Sequence, residues 1–171
     1  MDAPIINYWE FKDMKVKFSF FDGDDLKGFQ PCTQSYGIAF TRDGKIVIGR
    51  HGGEYSQWHI PGGTIEKDEH PDNTLIRELD EELSLEVVKS RLLGAQFVEY
   101  LNQDKSSHYQ LRYAVIINLK TLTLDPDKNI LWERKLIDPK DFTKFIKWGS
   151  IGEHMLKLAC KQFDEWKKQE E

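Results

Sequence analysis

The stretch GTIEKDEHPDNTLIRELDEELSL, residues 63–85, decides how this chain is read. Within it Gly63 is followed by Glu69, then by Arg77, Glu78 and Leu79, then by Glu81, Glu82 and Leu85, offsets that an ordinary surface helix has no reason to keep. From Pro71 to Leu83 the apolar residues Leu75, Ile76, Leu79 and Leu83 recur at three- and four-residue steps, which predicts a helix with that face in a core. Pro71 is preorganised for a first helical position, and Glu69 and Asp72 lie where the positive end of the helix dipole favours acids. With about 100° between successive residues, Glu78, Glu81 and Glu82 project from one strip of this helix.

Like charges so placed cost an isolated helix roughly 0.2–0.5 kcal/mol per pair, so water or a cation must offset them. A solvated acidic face is the ordinary outcome. A hard divalent ion does the same work at closer range, because Mg²⁺ takes carboxylate, carbonyl and water oxygens and shares its shell with substrate phosphates. The residues upstream favour the ion. Trp58-His59-Ile60-Pro61-Gly62-Gly63 reads as the end of a strand entering a tight Gly-Gly turn, and Thr64 to Asp68 then forms a loop feeding the helix. Backbone groups of that loop, lying against the glutamate strip, complete an oxygen-rich pocket. Arg77, directly before Glu78, is placed to hold a carboxylate by a charge-assisted bond or to make an ordinary surface ion pair.

With these residues in hand, Gly63 to Leu85 resembles the signature box of the Nudix hydrolases: Gly, five residues, Glu, seven residues, Arg-Glu-apolar, one residue, Glu-Glu, one residue, Gly-apolar. Ser84 stands where the family has its last glycine, and every other defined position matches. That position falls just past the helix end, where a left-handed conformation costs a non-glycine residue roughly 1 kcal/mol. The resemblance implies an α/β/α sandwich with a mixed sheet between helices. It also implies hydrolysis of a nucleoside diphosphate linked to another moiety, with Mg²⁺ or Mn²⁺ as cofactor. Carried over position by position, Glu78, Glu81, Glu82 and the Gly62 carbonyl would be metal ligands, with Arg77 in the catalytic set. The general base stays open between a box glutamate such as Glu81 and the later acids Asp125, Asp127 and Glu133. Subfamilies that cleave ADP-ribose carry a proline shortly after the box, and here none occurs between Pro71 and Pro126. A non-hydrolytic nucleotide-binding module on the same fold is the alternative, since fold alone does not fix function.

Around the box, Arg50 is placed to reach a phosphate, Trp58 and Tyr55 to stack on a base or pack in a core, and Gly63 to approach the substrate. A chain of 171 residues with 39% hydrophobic content suits one globular domain. The start of the chain has neither a basic segment nor an apolar run of signal-peptide type, so a cytoplasmic protein without a membrane span is expected. A net charge of -5 without a basic cluster argues against an extended nucleic-acid surface and for a small nucleotide ligand. Cys32 and Cys160 follow no metal or redox spacing and read as reduced thiols, and the five histidines form no helical metal pair.

Elsewhere the patterning predicts strands at 15–21, 34–41, 45–50, 92–101, 108–119 and 130–137, a turn at Arg42-Asp43-Gly44, a short helix from Asp138-Pro139 to Ile146, and a long amphipathic C-terminal helix marked by Ile151, Met155, Leu158, Ala159, Phe163 and Trp166. Residues 1–14 form an extension outside the motif, free either to cap the sheet or to pair with a second subunit in a homodimer.

Overall fold

A computed structural model describes residues 3–170. Its centre is the run His108–Leu119, where residues on both faces are apolar and buried: Leu111, Tyr113, Val115 and Ile117 point one way, Ala114 and Ile116 the other. A strand buried on both faces belongs in the middle of a sheet with helices above and below. The strands are β1 (Ile5–Phe11), β2 (Met14–Asp22), β3 (Cys32–Phe40), β4 (Ile46–Arg50), β5 (Gly62–Thr64), β6 (Leu85–Tyr100), β7 (His108–Leu119) and β8 (Glu133–Ile137). Their order is β1-β2-β6-β7-β3-β4-β8, with β5 also paired to β3. Only β3 and β7 run parallel among the described strands, so the sheet is mixed.

The helix α1 (Pro71–Leu83) covers one face, burying Leu75, Leu79 and Leu83 against Ala39, Val47, Val115 and Ile117. Each of those leucines contributes about 1.5–3 kcal/mol by leaving water. The other face carries α2 (Phe142–Phe145) and α3 (Gly149–Glu170), whose Phe142, Ile151, Met155, Ala159 and Trp166 pack on Ile38, Phe40, Ile48 and Ile116. The result is the expected α/β/α sandwich. One edge of β3 divides: its residues Gln34–Tyr36 pair with β5, while Ala39 and Phe40 pair with β4. Between the two branches the Gly37 N–H donates to the Pro61 carbonyl at 3.0 Å, and this fork creates the site described below.

Several elements depart from their sequence reading for identifiable reasons. Ile76 is 48% exposed, because the buried strip of α1 runs through Thr74 and Glu78 and leaves Ile76 on the solvent side. β6 begins at Leu85, ahead of the expected residue 92, and two register shifts against β7 break the alternation that would have revealed its first half. The strand expected to end before the Gly-Gly turn is reduced to a single bridge between His59 and Gly49, and the pairing strand lies on the glycines themselves. β8 starts at Glu133, since the Ile130 carbonyl is taken by the Asp125 N–H. The segment 139–146 is a 3-10 turn at Pro139–Asp141 followed by the single turn of α2. Ahead of Lys15, β1 adds an edge strand to the sheet, paired antiparallel to β2. No described helix is long and apolar enough to cross a membrane.

Ser84 closes α1 with φ 51° and ψ 51°, the left-handed conformation for which the family prefers glycine. The serine recovers part of that cost, because its buried Oγ accepts the Thr123 N–H at 3.1 Å. Ser84→Gly should therefore change stability by less than about 1 kcal/mol, relief of strain offsetting the lost bond. Ser84→Ala keeps the strain and leaves the Thr123 N–H without its partner, so it should lose about 1–3 kcal/mol in equilibrium urea unfolding.

Candidate active site

The fork in β3 brings β5 against the buried flank of α1, and that contact leaves room only for glycine. Gly62 has φ 147°, and a Cβ there would run into the Ser35 carbonyl and Tyr36; on Gly63 it would fall on the Glu78 carboxylate. So Gly62 is required for conformation and room, Gly63 for room alone. The Gly62 N–H donates to Glu82 Oε2 at 3.2 Å. Glu78 and Glu82 are both buried, while Glu81 stands at the edge of the strip.

Arg77 binds this strip to the preceding loop. Its Nε and Nη2 reach the two oxygens of Glu69 at 2.9 and 3.0 Å, a fork-on-fork pair. Nη1 donates to Glu78 Oε1 at 3.0 Å and to Glu81 Oε2 at 3.1 Å, and Nη2 also reaches the Thr64 carbonyl at 3.1 Å. Bonding to Arg77, with help from the Thr74 hydroxyl, holds Glu69 down at about 2. The box glutamate that lies off the helix thus anchors the arginine, and the arginine orients two glutamates of the strip.

A second rim comes from the loop before β8. Asp125 is buried, with Oδ1 accepting the Asp127 and Lys128 N–H groups at 3.0 Å and Oδ2 accepting Trp132 Nε1 at 3.1 Å. Its oxygens are engaged in shaping the loop, although the sequence left it open as a general base. The turn delivers Lys128 Nζ to 3.4 Å from Glu82 Oε1. Burial nevertheless pushes the Glu82 carboxyl up to about 7, outweighing the Gly62 N–H and Lys128. Burial also raises Glu81, against the pull of Arg77. Sequence reading missed Lys128; Asp125-Pro126-Asp127 is a turn signal, but nothing local places that turn beside Glu82.

The outlying candidates lie apart from the strip. Arg50 pairs with Glu133 through Nε at 2.9 Å and Nη2 at 2.8 Å, donates to the Glu54 carbonyl, and stacks 4.6 Å from the Trp58 ring centre. Trp58 is half-buried on the α3 face against Phe145 and lines a cleft of about 890 Å³. Tyr55 is fully out in solvent. His51 and His59 both pack edge-on against Trp132, and burial lowers the pKa of His59.

The donors on the strip suit a hard cation: carboxylate oxygens, one of them on a buried group that burial leaves poorly compensated. Among the described residues no three acidic, imidazole or thiol groups already converge on one point, because Arg77 Nη1 sits between Glu78 and Glu81. A cation that keeps water and phosphate oxygens in its shell does not need a finished protein cage. The Arg77–Glu69 pair itself predicts a pH effect. With its pKa depressed from 4.5 to about 2, Glu69 stabilises the folded state fully above about pH 4.5 and loses that contribution as pH falls toward 2. The melting-temperature gap between the native chain and Glu69→Gln should be constant near neutrality and close progressively over that acid range.

Comparison with known proteins agrees with this geometry. The NUDIX domain model matches residues 33–164. An RNA pyrophosphohydrolase of Saccharophagus degradans is 38% identical over 71 residues, covering 41% of this chain and 40% of that protein. Diphosphoinositol polyphosphate phosphohydrolase 3-alpha of Mus musculus is 26% identical over 136 residues, covering 80% of this chain and 73% of that protein. This chain therefore spans less than half the length of the bacterial relative. Among solved structures, a Bacillus subtilis pyrophosphohydrolase, crystallised as a point mutant, superposes with a TM-score of 0.65 at 21% identity over 90% of this chain and 97% of that one, a likeness of fold. Nudix hydrolases generally use divalent metals such as Mg²⁺ and act on small nucleotide substrates. By its matched domain, its box residues and its sheet topology, the chain belongs to the Nudix family of pyrophosphate-bond hydrolases.

Proposed function

We propose that this protein is a metal-dependent pyrophosphohydrolase that cleaves a nucleoside diphosphate linked to another moiety by attack of water on phosphorus. The observation that carries the reading is the strip of Glu78, Glu81 and Glu82, clamped by Arg77 and faced by the glycine turn at Gly62 and Gly63. Glu78, Glu81 and Glu82, with the Gly62 carbonyl, would hold Mg²⁺ or Mn²⁺. A bound divalent ion supplies charge neutralisation on the diphosphate and a more acidic water.

The chain's own groups then have distinct tasks. Arg77 fixes the carboxylates of Glu78 and Glu81, so their positions need not reorganise during reaction. Lys128, whose charge is maintained by Glu82, Asp125 and Glu78 against the cost of burial, brings a cation to the same rim and is placed to meet a phosphate oxygen. Glu81 has one oxygen on Arg77 and the other without a donor among the described residues, so it can accept the proton of the attacking water. Asp125 is unsuited to that role because its oxygens are already bonded. Glu133 is paired with Arg50.

The reading is tested by measuring product release from nucleoside triphosphates, nucleotide sugars, dinucleoside polyphosphates and 5′-triphosphorylated oligoribonucleotides, with Mg²⁺ or Mn²⁺. Release should require the metal. Glu82→Gln should retain the fold by circular dichroism and lose turnover by about 10²-fold or more. Nucleotide binding with no metal-dependent release from any substrate would point to a binding module instead. Lys128→Met should raise KM for the scissile diphosphate by roughly 10-fold, the scale of one charge-assisted bond, as read from steady-state kinetics.

A further inference from the structure

The cleft of about 890 Å³ lies on the α3 face of the sheet, walled by Trp9, Trp58, Phe145 and Trp148, with Gln96 in its lining. Trp148, on its wall, lies 5.4 Å from the Arg112 guanidinium. The Tyr36 backbone is in register with Gly62, and its ring packs 4.8 Å from the same guanidinium.

Arg112 is unusual for a buried cation. It is 3% exposed, and among the described residues no carboxylate lies within ion-pair distance. Tyr36 and Trp148 flank it, the latter at 5.4 Å, and its Nε has no partner. Nη1 donates to the Leu111 carbonyl at 3.2 Å and Nη2 to Gln110 Oε1 at 2.7 Å. A guanidinium can only donate, so the atom of Gln110 that faces it must be the oxygen. That choice propagates. Gln110 Oε1 also accepts from Gln96 Nε2 at 3.3 Å, and Gln110 Nε2 donates to Gln34 Oε1 at 2.5 Å. With its nitrogen committed to Gln110, Gln96, a residue of the cleft lining, keeps Oε1 as the amide atom with no protein partner among the described residues.

We infer that Arg112 is a positioning residue which, through Gln110, fixes Gln96 Oε1 as a hydrogen-bond acceptor in the aromatic cleft, so that the cleft selects a nucleobase presenting an N–H donor at its edge. The inference rests on the proposed hydrolase reading only for the nucleotide nature of the ligand. The flat indole walls favour a planar heterocycle. A ligand edge that offered only acceptors would face Gln96 Oε1 oxygen to lone pair and be rejected, as sites built around one buried polar group reject the analogue lacking its partner. Sugar or inositol rings cannot use the indole faces in the same way. Because Trp148 and Tyr36 cover Arg112, it acts on the ligand through the glutamine chain and does not touch it.

The test uses quenching of tryptophan fluorescence by AMP, GMP, CMP, UMP and ribose 5-phosphate, and by the analogue of the tightest-binding nucleotide whose base N–H donors are methylated. The native chain should bind one nucleotide at least ~10-fold more tightly than ribose 5-phosphate, and methylation should remove about that factor, the scale of one hydrogen bond. Gln96→Met should bind the nucleotide and its methylated analogue equally. Arg112→Gln, which frees the amides to reverse, should also lose the distinction, and Arg112→Lys, which can still only donate, should restore it. A merely structural Arg112 would weaken all ligands alike and leave the ratio unchanged. The inference is overturned if ribose 5-phosphate binds as well as the nucleotides, or if methylation costs as much in Gln96→Met as in the native chain. Base discrimination without hydrolysis of any substrate would overturn the hydrolase reading alone; hydrolysis without base discrimination would overturn this inference alone.

Discussion

The Arg77 guanidinium organises everything around it. Five donors in a fixed plane meet Glu69 with two bonds, Glu78 and Glu81 with one each and the Thr64 carbonyl with another, so a single side chain ties the loop after β5 to the exposed and buried flanks of α1. Without it, three glutamates on one strip would repel each other beside a buried, low-dielectric wall. With it, the repulsion becomes a set of charge-assisted bonds whose geometry is fixed by the arginine's planarity. Lysine, a point charge on a flexible stem, could not replace that geometry.

The same region shows how steric and electrostatic constraints depend on one another. Glycine at 62 and 63 allows β5 to press onto α1 closely enough to bury Glu78 and Glu82. Burial then raises Glu82 to about 7 and makes added positive charge favourable. Each step follows from the one before: a missing Cβ gives close approach, close approach gives desolvation, and desolvation raises the carboxyl. The opposite face is organised by a different rule, since Arg112 has aromatic rings and amides in place of counter-ions.

Much of the architecture was legible in local patterning. The bounds of α1, the edges of β7, the Asp43-Gly44 hairpin and the apolar face of α3 follow from periodicity and turn chemistry, because those signals lie within a few residues of one another. What escaped was long-range. β5 has three residues, two of them glycine, and exists only because β3 offers it an edge; the first half of β6 hides behind two bulges; β1 has its apolar side chains largely in solvent.

The sequence by itself determined the box: Glu69, Arg77, Glu78, Glu81 and Glu82 carry their relative positions in their spacing, since one helix and the loop feeding it convert spacing directly into geometry. Only the tertiary structure decided which residues from elsewhere meet that helix and which gather on the opposite face of the sheet. Lys128 arrives from a turn closed by Asp125, Tyr36 from the paired edge of β3, and Arg112, Gln110 and Gln96 from strands adjacent by sheet order though distant in the chain. The pairing of β3 with β7 and of β7 with β6 is a matter of topology and burial. No residue's immediate neighbours encode it, and so these groupings become visible only when the sheet is assembled.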